Sequence, residues 1–161
     1  MRDHGLADIE AVLACLDARI AFWDAEIKDQ IARSETLAHA EQRLRSIPGI
    51  GPVAATTLLA RMPELGQRSP KTIAALAGLA PFTVQSGQWK GRDRIQGGRK
   101  RVRDALYMAA VSAARAAPRF KAFYQALRDA GKPPKLALVA IARKLITIAN
   151  AVLRDDKAFQ P

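Results

Sequence analysis

Leu44-Arg45-Ser46-Ile47-Pro48-Gly49-Ile50-Gly51-Pro52-Val53-Ala54-Ala55 is the stretch on which the fold turns. A helix can run up to Ile47, and Pro48-Gly49 must stop it. Gly51 permits a tight reversal, and Pro52 suits the first position of a new helix, where its missing N–H costs nothing. The spacing apolar-x-Gly-apolar-Gly followed by small residues resembles a helix-hairpin-helix. In that motif the backbone amides of the turn and of the second helix's first turn can hold a phosphate without reading sequence. Gly49 and Gly51 are therefore candidate phosphate contacts, although a plain pair of packed helices that binds nothing would need the same residues.

Working outward, the rest of the chain also reads as mainly α-helical. On the N-terminal side Leu6, Ile9, Leu13, Leu16, Ile20, Trp23 and Ile27 are spaced 3, 4, 3, 4, 3, 4. That alternation lays one narrow apolar seam along a helix whose other faces are charged. The seam predicts a coiled coil over residues 1–43, either pairing chains into a homodimer or higher oligomer or pairing with a further segment of the same polypeptide; packing on the chain's own helical domain is the alternative.

On the C-terminal side Ser69-Pro70 reads as an N-cap and first-turn proline of a helix that ends at Gly78. Ile47-Pro-Gly-Ile-Gly-Pro52 is echoed by Leu76-Ala-Gly-Leu-Ala-Pro81, 29 positions later. Helical periodicity returns near Arg99, with Val102, Leu106, Ala109 and Ala113 on one face. Pro118 opens a further helix stopped by Gly131. Pro133-Pro134 starts the last one, whose Leu138, Ile141, Leu145, Ile148 and Val152 place it at the centre of the core. Residues 44–155 thus form a compact helical domain, and 156–161 are expected to fray.

The segment between, Phe82 to Ile95, has no helical period and reads as a loop or short hairpin. It begins a dense cationic field. Lys90, Arg92, Arg94, Arg99, Lys100, Arg101 and Arg103 accompany the single acid Asp93 between Ser86 and Arg103. Ser86 is followed by Gly87, which leaves the backbone beside the hydroxyl unobstructed. A serine, accessible amides and clustered cations suit phosphodiester chemistry. A turn serine on a solvated basic surface is the competing reading.

Composition narrows the partners. Lys and Arg number 26 against 15 Asp and Glu, a net charge of +11 over 161 residues, which favours a polyanion and nucleic acid first. Apolar runs reach only seven residues, as in Leu136 to Ala142, where a membrane span needs about 20. Acidic residues interrupt the N-terminus where a signal peptide would need an apolar run. Cys15 is the only cysteine, and His4 and His39 are far apart, so no metal site is expected within the chain. An intracellular, basic protein is the class these features describe.

The ordered set Ile47-Pro-Gly-Ile-Gly-Pro52, Ala75-Leu-Ala-Gly-Leu-Ala-Pro81, Ser86-Gly87, Gly91, Ile95, Gly97-Gly98 and Ala105-Leu-Tyr-Met-Ala-Ala110 resembles the C-terminal transposase domain of the insertion-sequence-110 family. Phe123-Tyr124, Gly131-Lys132-Pro133 and Ala142-Arg143-Lys144-Leu145 fit the same family, whose members are also called DEDD recombinases. The resemblance implies DNA transposition in which a serine, here Ser86, attacks a DNA phosphodiester. It also implies a structured guide RNA, a bacterial cytoplasmic and nucleoid-associated setting, and a coiled coil joining this domain to an N-terminal RuvC-like domain. Magnesium is expected only in that acidic domain, which this chain is read as lacking. A non-catalytic DNA-binding module, or a remnant that pairs through its seam with full-length transposase, are the alternatives.

Overall fold

Seven helices account for most of the described residues in the computed structural model. It describes residues 2–82, 85–86, 89–90 and 94–160; for 2–4, 82, 85–86, 89–90 and 94 it describes the backbone alone. The chain divides into two units, Met1–His39 and Ala40–Pro161.

The first unit is dominated by α1 (Arg2–Ala32). Every residue of the apolar seam is exposed, from Leu6 at 59% to Ile27 at 40%. Phe22 and Trp23 stand edge to face, with ring centroids 5.3 Å apart. The helix does not continue through residue 43 as a single rod. Ser34 ends it and starts α2 (Glu35–Arg45), its Oγ accepting from the Leu37 N–H at 3.4 Å. A serine in this role satisfies an otherwise orphaned helix donor, and Glu35 complements the positive end of the new helix.

The second unit is built on α5 (Lys100–Ala116) and α7 (Pro134–Arg154), which pack on one another. α3 (Pro52–Arg61) lies against α5, α4 (Pro70–Leu76) against α7, and α6 (Pro118–Asp129) against both. α7 is long and apolar enough to cross a membrane by length and composition, but Ile141, Ala142, Leu145, Ile146 and Ala149 are fully buried in this core. Each buried Leu or Ile contributes about 1.5–3 kcal/mol relative to exposure. The buried alanines Ala109, Ala110 and Ala113 let other backbone approach α5 closely. Gly49, at φ +90, uses that space: a Cβ there would strike the Ala109 carbonyl and the Ala113 side chain.

Asn150 is the one buried polar side chain among the described residues. Its Oδ1 accepts from the Gly66 N–H at 2.8 Å and its Nδ2 donates to the Arg68 carbonyl at 3.0 Å. Those bonds fix the loop between α3 and α4 on the end of α7.

The predicted cap of α4 is present: Ser69 Oγ accepts from the Thr72 N–H at 3.2 Å. Gly78, at φ +70, closes that helix, with the Leu79 N–H bonded to the Ala74 carbonyl at 2.8 Å. The sequence echo thus corresponds to two left-handed glycines, Gly49 and Gly78, that follow helices and meet the two ends of the segment 97–113.

The C-terminal tail, expected to fray, instead folds back on α2. Arg43 pairs with Asp156 at 3.0 Å, and the Phe159 N–H donates to Ser46 Oγ at 2.8 Å. Phe159 packs on the core beneath it, which offsets the ordering of the last residues.

Candidate nucleic-acid interface

Between α4 and α5 the chain forms four two-residue strands, β1 (Pro81–Phe82), β2 (Gln85–Ser86), β3 (Trp89–Lys90) and β4 (Arg94–Ile95). β1 pairs antiparallel with β4, Pro81 opposite Ile95 and Phe82 opposite Arg94. β2 pairs antiparallel with β3, Gln85 opposite Lys90 and Ser86 opposite Trp89. The inner ladder is nested in sequence within the outer one, so the segment read as a loop or short hairpin carries hairpin pairing. Ser86, Lys90 and Arg94 lie on these strands, their side chains outside the described residues. Gly87 and Arg92 lie outside the described residues altogether.

The excursion starts and ends at one crossing. A Cβ on Gly98 would strike the backbone of Gly78, and a Cβ on Gly78 would strike the Gly97 carbonyl and the Arg103 guanidinium. Gly97, Gly98 and Gly78 all have positive φ, near +65 to +70, so a side chain at any of them is strained as well. The Arg99 N–H donates to the Leu76 carbonyl at 2.9 Å, tying the start of α5 to the end of α4.

The cations at the start of α5 then separate into different situations. Arg99 donates through both terminal nitrogens to Glu64, at 2.7 and 2.6 Å, and touches the Met62 sulfur at 3.0 Å. The fork geometry makes this a strong form of ion pair. Its hydrogen bonds to Arg99 are the main reason the Glu64 carboxyl falls from its ordinary 4.5 to about 2, and Glu64 in turn raises Arg99. Arg103 donates to the Gly97 carbonyl at 2.6 Å and so braces the glycine turn. Lys100 makes an exposed pair with Asp104 at 2.7 Å, a contact of at most a few tenths of a kcal/mol. Arg101 is exposed and meets no carboxylate among the described residues. Glu64, which neutralises Arg99 and positions α5, carried no signal in the sequence: its partner lies 35 positions away.

At the other proposed phosphate site, Gly49 turns its tight side to α5, as described above. Gly51 is open, with nothing within 4 Å of a Cβ position, and it N-caps α3 without a side-chain bond. Pro52 follows at the first helical position and Val53 is 75% exposed. The first turn of α3 is therefore accessible at the surface. Among the described residues no group of three His, Cys, Asp or Glu side chains gathers as a metal site would require.

Residues 41–125 match the Transposase IS116/IS110/IS902 family. The pilin gene-inverting protein of Moraxella bovis is 36% identical over 140 residues, which is 84% of this chain and 44% of that protein. The insertion element IS116 44.8 kDa protein of Streptomyces clavuligerus is 32% identical over 158 residues, 97% of this chain and 39% of its own length. The insertion element IS110 43.6 kDa protein of Streptomyces coelicolor is 32% identical over 120 residues, 73% of this chain and 29% of that protein. The chain spans less than half the length of these relatives. With its family match covering more than half of its residues, and the all-α fold carrying that match from α2 into α6, the chain belongs to the IS116/IS110/IS902 family of transposases.

Proposed function

We propose that this chain binds DNA for an insertion-sequence transposase and supplies, through Ser86, the nucleophile for strand cleavage. The observation that carries the reading is where Ser86 sits. It is paired with Trp89 in the inner ladder of an excursion that returns directly into the cationic start of α5. The Moraxella relatives are named for inverting a pilin gene, a rearrangement in which DNA strands must be cut and rejoined.

In the proposed step the Ser86 oxygen bonds to phosphorus and one backbone P–O ester bond breaks. The hydroxyl proton passes to a base, and the freed deoxyribose oxygen takes up a proton. A serine hydroxyl is a weak nucleophile at neutral pH and needs a base or a stabilising field. Arg101 and Lys100 supply part of that field, and the open first turn of α3 beside Gly51 holds a second phosphate in the manner of a helix-hairpin-helix. Arg99 holds the start of α5 in position through Glu64. The base and any magnesium come from an acidic RuvC-like domain outside these residues. A structured RNA guides the choice of DNA, and the exposed seam of α1 pairs copies in the bacterial cytoplasm, on the nucleoid.

The test is an adduct assay in the assembled recombinase. Ser86→Ala leaves DNA affinity within about twofold and abolishes the covalent protein–DNA band on a denaturing gel, and Ser86→Cys changes the adduct's chemical lability. Adduct formation by Ser86→Ala at the wild-type rate would assign the nucleophile elsewhere.

A further inference from the structure

A second cationic surface lies apart from the serine excursion and from the start of α5. From Arg115 to Lys144 the chain carries eight Lys and Arg residues against one acid, Asp129. Part of this charge converges on a cleft of about 370 Å³ between α6 and α7. Arg119, Phe120 and Phe123 line it from α6, and Arg143 and Lys144 line it from α7. The Lys144 ammonium sits 3.9 Å above the Phe123 ring, a cation–π contact that holds it at the rim. Arg119, Arg143 and Lys144 are exposed, and among the described residues none meets a carboxylate. Three like charges gathered at an apolar-lined cleft repel one another and concentrate anions.

The cleft does not stand alone. An apolar hollow of about 470 Å³ adjoins it and shares Ala140 and Arg143 with it. Leu79, Pro81, Ile95, Leu136 and Val139 line the hollow, with Lys135 at its edge. Pro81 and Ile95 are the first register pair of the β1–β4 ladder. The face of α7 from Lys135 to Thr147 is therefore one trough, about 18 Å long at 1.5 Å per residue, running from the base of the serine excursion to the α6 cleft.

We propose that this trough seats an unpaired DNA strand, phosphates on Arg119, Arg143 and Lys144 and a base face in the hollow beside Leu136. Charge complementarity selects a polyanion, and membership of a DNA transposase family makes DNA the occupant. The hollow selects the unpaired form. A duplex keeps its base faces stacked inside and offers the trough only phosphates, whereas a single strand presents apolar base faces beside its charge. The proposal rests on the DNA-binding reading above but uses none of the residues assigned to it there.

The experiment measures binding of the 161-residue chain to an unpaired oligothymidylate, a matched DNA duplex and an RNA hairpin by fluorescence anisotropy across a salt series. The variant Arg119→Ala/Arg143→Ala/Lys144→Ala lowers affinity for the unpaired strand at least tenfold and flattens its log–log salt slope by about 2, at about 0.7 per single-strand phosphate. Its duplex affinity falls less than threefold. Leu136→Glu, which places a carboxylate in the hollow from an exposed position, also weakens the unpaired strand selectively. Circular dichroism confirms that both variants fold, since neither replaces a buried side chain. Wild-type binding of the unpaired strand by the triple variant overturns the proposal, as does an equal or larger loss for duplex, or a loss confined to the RNA hairpin. A wild-type chain that binds no form of DNA would bring down the DNA-binding reading as well; selective failure of these variants brings down the trough alone.

Discussion

Arg99 holds Glu64 through both guanidinium nitrogens, at 2.6 and 2.7 Å, across the gap between the α3–α4 loop and the first turn of α5. The pair turns what counts as a phosphate-seeking arginine in the sequence into a bracket. Its pH signature follows from the lowered carboxyl. Glu64 falls from 4.5 to about 2 in the folded chain, so its contribution to stability is fully present above pH 4.5 and is lost as pH falls towards 2. Glu64→Gln should lower the melting temperature at pH 7 and flatten its decline between pH 4.5 and 2, as followed by circular dichroism. A variant with the wild-type acid profile would show that the bracket does not couple to folding.

The same bracket predicts that two neighbouring arginines behave differently in a DNA-binding titration. Arg101→Ala should flatten the duplex-binding salt slope by about 0.9, one phosphate contact. Arg99→Ala should leave the slope within error and lower thermal stability instead. Anisotropy titrations between low and moderate salt separate the two effects.

Asn150 invites a test of the core's single polar anchor. Asn150→Leu leaves the Gly66 N–H and the Arg68 carbonyl without their partners. Gly66 is half-buried and Arg68 exposed, so water can reach part of what Asn150 releases, and losing the two bonds should cost roughly 1 to 2 kcal/mol, read from the urea midpoint at unchanged slope.

The seam of α1 should bring copies together. Leu13 and Leu16 are 54% and 52% exposed, a standing cost in water that a partner helix would remove. Leu13→Lys/Leu16→Lys should sediment as a monomer where the wild type sediments as a dimer or larger. A wild-type chain that is monomeric at high concentration would end the coiled-coil reading.

What the sequence made legible was whatever depends on neighbours in the chain. Ser69-Pro70, Gly78 and the stripe of α7 were readable because a cap, a left-handed stop and a helical face are set within a few positions. The break at Ser34 was missed, since the apolar seam weakened gradually and no Glu or Gln stands at position 37 to complete a capping box. The docking of Phe159 on Ser46 spans 113 positions, and the bonds of Asn150 span 82 and 84, beyond any local pattern. At the candidate site the charges were countable but their neutralisation was not. Seven cations beside Ser86 read as one field, and only the fold shows Arg99 committed to Glu64 and Arg103 to the Gly97 carbonyl.

The contact between Gly78 and Gly98 sets where this chain can tolerate a change of length. Leu79 still packs in the core and the Gly97 carbonyl is held by Arg103, so the chain leaves the helical body just after one glycine and rejoins it just before the other, and residues 80–96 hang from a common hinge post. Once the post is fixed, doubling the length of that segment adds only about 0.6 kcal/mol of closure entropy. An insertion or deletion between the two glycines therefore need not re-fit α4 to α5. The post itself tolerates no such drift, because any side chain at either glycine would push the two strands of backbone apart.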